Sequence, residues 1–109
     1  MGSMNDPKRK LSPAEIDEAG LAGWQQVDEN LTARFATKNF ATGLELVNRI
    51  GASAEDANHH PDLTLTYPEV GVTLSSHDVG GITSRDIDLA RVISGHAGDL
   101  GVGSGSGDG

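Results

Sequence analysis

The sequence predicts an α+β domain: a four-stranded antiparallel sheet with three helices packed on one face, in the order α-β-β-α-β-β-α. Three observations predict it. Apolar and polar residues alternate in two separate stretches, one around Leu31–Phe35 and one from Leu63 to Leu74. Between them, apolar residues recur at helical spacing, and a capping box stands at each end, Ser12 with Glu15 and Thr83 with Asp86.

Ser12-Pro13-Ala14-Glu15 announces the first helix, since serine caps free amides, proline suits the first helical position and Glu15 closes the box. Ile16 and Ala19 form its short apolar face, and Gly20 and Gly23 end it. Trp24 to Asp28 reads as a strand, Glu29-Asn30 as a tight connection, and Leu31 to Thr37 as a second strand with Leu31, Ala33 and Phe35 turned inward. From Asn39 the period changes. Phe40, Leu44, Val47, Ile50 and Ala54 make the apolar face of a long helix reaching about Ala57, which Gly43 and Gly51 either weaken or allow to pack closely. Pro61 forbids continuation and pushes His60 toward extended backbone. Leu63, Leu65 and Tyr67 form a third strand, and Pro68-Glu69 a turn. Val70, Val72 and Leu74 form a fourth, whose parity sets His77 with Thr73 and Ser75 away from the apolar side. Thr83 opens the last helix, with Ile82 and Ile87 as a hydrophobic staple and Ile87, Ala90 and Ile93 as the buried stripe.

A chain of 109 residues with 36% hydrophobic content holds one modest core, and oligomerisation would help cover its apolar surface. Residues 1–10 read as a flexible N-terminal segment, in which Met1-Gly2-Ser3 before a second methionine looks like a cloning remnant and native numbering begins at Met4. Residues 11–97 read as the folded domain, and 98–109 as a disordered tail rich in glycine and serine. A formal charge of −8 argues against nucleic acid as a direct partner, and the single basic run, Lys8-Arg9-Lys10, reads as a solvated tail. There is no cysteine, which excludes disulfides and thiolate metal sites. No stretch has the length of a membrane span and no signal-peptide pattern is present, so the expected location is cytoplasmic.

Chemistry concentrates in Glu55-Asp56-Ala57-Asn58-His59-His60-Pro61, with His77 following after the second hairpin. Imidazole ordinarily titrates nearest neutrality, so three of the four histidines gathered together suit proton transfer in both directions. Four residues of helix would put Glu55 and His59 on one face, where the carboxylate orients the ring and fixes its tautomer. Asp86 is explained by its capping box and is assigned structure first. The three imidazoles are expected to converge on one cleft. Metal binding is the rival: adjacent His59 and His60 diverge on extended backbone, and no i, i+4 histidine pair exists, so a site of His59, His77 and a carboxylate is the weaker reading. Nucleophilic catalysis lacks a cysteine or a serine on a glycine elbow, and Gly80-Gly81 lacks the lysine of a phosphate loop.

These residues together resemble a known family. Glu55-x-x-x-His59-His60-Pro61, then Tyr67, His77 and Asp86 at their spacings, is similar to the signature of the pterin-4a-carbinolamine dehydratases, and the match runs from Leu11-Ser12 through Asp86-Ile87-Asp88-Leu89-Ala90. Leu63 stands where many members carry an aromatic, and Ser76 where threonine is frequent. The resemblance implies the helix–hairpin–helix–hairpin–helix fold and the loss of water from 4a-hydroxytetrahydropterin (4a-hydroxytetrahydrobiopterin), giving quinonoid dihydropterin, with no metal or other cofactor. It implies His59 and His77 as acids on the departing hydroxyl from opposite faces of the pterin, His60 as substrate binder and assisting base, and Glu55 and Asp86 as orienting groups. Asn58, Pro61, Ser75, Ser76 and Asp78 would line the pterin pocket, with backbone groups reading its amide edge. The partners implied are a reduced pterin, a second copy in a homodimer or homotetramer, and an aromatic amino-acid hydroxylase in the same pathway. The alternative on this scaffold is a non-enzymatic binding, assembly or coactivator module.

Overall fold

The structure, a computed structural model, describes residues 6–103. Its elements are α1 (Pro13–Glu18), β1 (Trp24–Val27), β2 (Asn30–Ala36), α2 (Phe40–Ala57), β3 (Asp62–Leu65), β4 (Glu69–Leu74) and α3 (Ser84–Asp99). The four strands form one antiparallel sheet in the order β1-β2-β4-β3, so the two hairpins join through β2 and β4 in the middle and β1 and β3 are left as edges. Leu31 pairs with Leu74 and Phe35 with Val70, which brings the apolar positions of both central strands to the same face. The three helices cover that face. Among the described residues no helix is long and apolar enough to cross a membrane.

The core is Leu31, Phe35, Val70, Val72 and Leu74 of the sheet against Leu46 and Ile50 of α2 and Ile87, Ala90 and Ile93 of α3. Trp24 closes one end, edge-on to Phe35 at 6.0 Å, with its indole N–H donating to Ser94 Oγ at 2.8 Å. The face that α2 buries differs from the sequence expectation. Gly43, Leu46, Ile50 and Ala54 are buried, whereas Phe40 and Leu44 are exposed. A Cβ on Gly43 would stand 2.7 Å from Leu65 Cδ1, so the glycine lets α2 lie against β3, and that approach turns Phe40 and Leu44 outward. A Cβ on Gly51 would meet nothing within 4 Å, so there only the weakening applies.

Both ends of the domain reach further than composition suggests. The capping box of α1 is formed, Glu15 N–H to Ser12 Oγ at 3.2 Å and Ser12 N–H to Glu15 Oε1 at 2.9 Å. Arg9 then grips Glu15 with both terminal nitrogens, at 3.2 and 2.6 Å. Lys8 Nζ lies 2.8 Å from Asp78 Oδ2, and Leu11 N–H donates to Ile82 C=O at 2.8 Å. Two residues of the basic run are therefore paired with carboxylates, Arg9 with nearby Glu15 and Lys8, still largely exposed, with distant Asp78. At the other end α3 continues past Ala97 to Asp99, Val102 is buried, and Gly103 C=O accepts from Ala36 N–H at 3.2 Å. Two apolar residues, Leu100 and Val102, hold a segment that its glycines alone would release. The proposed cloning remnant and the tail from 104 onward lie outside the described residues.

Arg9, and after it the Ser12 N–H, hold the Glu15 carboxyl down at about 2. A depressed folded-state value stabilises the protein above the ordinary glutamate range near ~4.3, and that stabilisation is lost as pH falls toward the folded value. Glu15→Gln should therefore melt below wild type at pH 6, with the two thermal midpoints converging between about pH 4 and 2. A gap that stays constant across that range would refute the ionic linkage.

Candidate active site

The end of α2 decides where each imidazole goes. Asn58 takes the left-handed conformation at φ 51°, ψ 43°, a position that asparagine tolerates better than most residues. Its N–H donates to Glu55 C=O at 3.2 Å, and the His59 N–H donates to Ala54 C=O at 3.1 Å, the paired closure of a Schellman motif. The chain therefore leaves the helix one residue before His59, and the expected i, i+4 pairing of Glu55 with His59 is not made. Glu55 Oε2 instead lies 2.6 Å from His60 Nε2 on the exposed side. His59 folds inward, 9% exposed, with Nε2 at 2.6 Å from Asp86 Oδ1.

Asp86 does more than cap. It is fully buried (0% exposed) in the first turn of α3. One oxygen, Oδ2, accepts from Thr83 N–H at 2.9 Å and from Ser76 O–H at 2.8 Å. The other faces His59. Ser76 has one hydroxyl proton and gives it to Asp86, so the 2.8 Å contact between Ser76 Oγ and Thr83 Oγ1 is donated by Thr83, whose oxygen in turn accepts from Arg85 N–H at 3.2 Å. A buried carboxylate is tolerable only when donors reach it, and here three do, two on Oδ2 and one on Oδ1. The arrangement assigns the proton on His59 Nε2 and leaves Nδ1 as the nitrogen free to exchange one.

Ser76 is thereby committed inside the protein. Its N–H donates to Gly81 C=O at 2.7 Å and its own C=O accepts from Gly80 N–H at 2.9 Å, closing the turn that carries His77 and Asp78. The Asp78 carboxylate is likewise occupied. Lys8 Nζ and Arg85 Nη2, each at 2.8 Å, hold it far below the usual carboxylate range. Lys10 lays its stem over Gly81, so the N-terminal arm and α3 together fix this turn. His77 itself is exposed, with Nε2 3.5 Å from Ser75 Oγ.

The β3–β4 register relates these groups. It pairs Asp62 with Thr73, and carried toward α2 it sets His60 opposite Ser75 and His59 opposite Ser76. Strand alternation then separates two layers: His59 and Ser76 face inward to Asp86, while His60, Ser75 and His77 face outward. The extended register thus sets the three histidines toward one end of the sheet. The hollow beside His77, about 240 Å³, is walled by the β1–β2 turn, Asp28, Glu29 and Asn30, and by Ser75, Gly80 and Gly81, without His59 or His60. That turn was not among the sequence candidates, because nothing local announces that β2 pairs with β4. Pro61, half-buried, begins the approach to β3. The fourth histidine, His96, stands apart, bonded to Ser53 Oγ at 2.7 Å between α2 and α3.

Comparison with known proteins bears on this arrangement. A family model described as pterin 4 alpha carbinolamine dehydratase matches residues 9–96. A relative from Thermosynechococcus vestitus, which carries the provisional name pterin-4-alpha-carbinolamine dehydratase, is 51% identical over 87 residues, covering 78% of this chain and 92% of its own. A crystal structure described as a transcriptional coactivator/pterin dehydratase from Brucella melitensis superposes with a TM-score of 0.78 at 36% identity, over 82% of this chain and 99% of that one. A pterin dehydratase-like protein identified as a RuBisCO assembly factor in the alpha-carboxysome shares the fold, with a TM-score of 0.58 at 21% identity over 69% of this chain and 87% of that one.

Proposed function

The chain belongs to the pterin-4α-carbinolamine dehydratase family, and we propose that it is a hydro-lyase converting 4a-hydroxytetrahydropterin to quinonoid dihydropterin and water. The observation that carries this reading is the buried contact of His59 with Asp86, 2.6 Å, in a carboxylate whose other oxygen is already filled. Burying so polar a cluster costs stability relative to apolar packing, which gives it a chemical rather than a structural rationale.

The reaction needs proton transfer alone. The C4a–O bond breaks as the hydroxyl takes a proton and leaves as water, and N5 gives up its proton as its electrons form the new C=N bond. His59, through Nδ1, and His77 serve as acids on the departing oxygen. His60, held by Glu55, binds substrate and assists as base at N5. Asp86 is the positioning residue for His59, and Asp78, clamped by Lys8 and Arg85, positions the turn of His77. Each well-placed group contributes about 10²–10⁴-fold. The substrate is the product of an aromatic amino-acid hydroxylase, and the open edges β1 and β3 suit a homodimer or homotetramer.

The RuBisCO assembly factor shows that the scaffold by itself does not specify chemistry. Retention of all three histidines favours the enzyme over a binding module. Freshly generated 4a-carbinolamine should decay faster with the wild-type chain than in buffer. In the same assay His60→Ala should raise KM several-fold with a smaller effect on kcat, since it removes a binding contact on the exposed side. Decay indifferent to the protein would remove the enzymatic reading, and an unchanged KM would remove the role of His60.

A further inference from the structure

The turn that carries His77 is held from two sides, and the two holds differ in firmness. It closes on itself through Ser76, Gly80 and Gly81, and the residue after His77 offers a carboxylate to each side. Asp78 Oδ1 accepts from Arg85 Nη2 at 2.8 Å, and Arg85 is itself anchored, its Nε donating to Thr83 Oγ1 at 3.3 Å at the cap of α3. Asp78 Oδ2 accepts from Lys8 Nζ at 2.8 Å, with the lysine side chain 71% exposed. An ammonium on a long stem in water is the side that lets go first. The rest of the arm is fixed. Lys8 N–H donates to Asp6 Oδ1 at 2.9 Å, Arg9 grips Glu15, and Leu11 is buried with its N–H on Ile82 C=O. Between these points the Lys10 stem crosses Gly81, where a Cβ would stand 2.7 Å from Lys10 Cγ. Gly80 takes a positive φ and Gly81 does not, so the missing side chain of Gly81 serves this crossing and not a left-handed backbone.

We propose that residues 6–11 form an ionic strap on the His77 turn: with Lys8 on Asp78 the imidazole is held where it acts, and salt that separates the pair slackens the turn and slows turnover. The inference rests on the dehydratase reading and adds regulation to it. Lys8 and Lys10 are positioning residues, acting through the turn and away from the reacting atoms. Held by Lys8 first and then by Arg85, Asp78 stays ionised far below neutrality, so near neutral pH the strap answers to ionic strength and not to protons. The carbinolamine is uncharged there, so salt does not act by screening its approach. The exposed Glu55–His60 pair belongs to substrate binding, and its screening falls on KM. Loss of the strap falls on kcat, because it misplaces an acid without removing a binding contact.

The test follows carbinolamine decay on wild type, Lys8→Gln and Lys8→Arg, all as full chains, from low salt to about 0.5 M sodium chloride, where the Debye length is about 4 Å. Wild-type kcat should fall about threefold over that range, the scale of one exposed ion pair. Lys8→Gln should begin about threefold below wild type at low salt and stay flat as salt is added. Lys8→Arg keeps the charge and should restore both the rate and its salt response. At each salt concentration the KM of Lys8→Gln should equal that of wild type, and its thermal midpoint should be nearly unchanged, since the side chain is exposed. A Lys8→Gln rate equal to wild type at low salt, or a salt response of kcat that survives the substitution, overturns the strap while the dehydratase stands. No turnover by wild type overturns the dehydratase and the strap's role with it.

Discussion

Replacing Asp86 by asparagine is expected to remove most dehydratase activity, about 10²–10⁴-fold in kcat, while the domain still folds. The argument is one of proton inventory. Thr83 N–H and Ser76 O–H both donate to Oδ2, so an asparagine at this site must turn its oxygen toward them and its amide NH₂ toward His59. His59 Nε2 would then face a donor and must become the acceptor, which moves the ring proton to Nδ1. The imidazolium, the form able to protonate a leaving hydroxyl, would have a proton on each nitrogen and would clash with the amide. Substrate binding should suffer less than turnover, because the exposed groups are untouched. Nitrogen-15 spectra of the imidazole should report the exchanged tautomer directly. Asp86→Ala should go further and cost stability as well, about 3–5 kcal/mol, since three donors around a fully buried position lose their acceptor. A wild-type rate in Asp86→Asn with the tautomer inverted would show that His59 transfers no proton.

How much of this was legible in the sequence follows from how local each cause is. The seven elements were, because alternation, helical period and two capping boxes act within a few residues. The helix stop before Pro61 was legible for the same reason. The identity of the His59 partner was not. One residue in the left-handed region, Asn58, redirects the chain so that Glu55 holds His60, and asparagine permits that conformation without requiring it. Asp86 is 27 positions away from His59, and the capping box that it visibly forms uses only one of its oxygens. Two apolar stripes compete on α2, one through Phe40 and Leu44, the other through Gly43, Leu46 and Ile50. The choice is made by Gly43 against Leu65, a contact between elements. The docked basic arm and the buried Val102 were hidden likewise, since composition describes a segment and says nothing of the distant residues that receive it.

His77 offers the cleanest separation of activity from stability. It is exposed on a turn whose backbone bonds run through Ser76, Gly80 and Gly81, so His77→Ala should leave the thermal midpoint nearly unchanged, within about 0.5 kcal/mol. His59→Ala should cost about 1–3 kcal/mol, because Asp86 Oδ1 is left buried without its partner. Each substitution is nonetheless expected to lower kcat by about 10²–10⁴-fold. The two losses should not multiply. In the proposed reaction both imidazoles serve one leaving oxygen and a single C4a–O bond breaks per turnover, so removing both should bring decay of the carbinolamine down to its rate in buffer and no further. The single variants therefore decide the division of labour and the double variant decides the class of protein. A folded His59→Ala/His77→Ala double variant that still matches wild type would leave a binding module on this scaffold, with its histidines serving recognition instead of proton transfer.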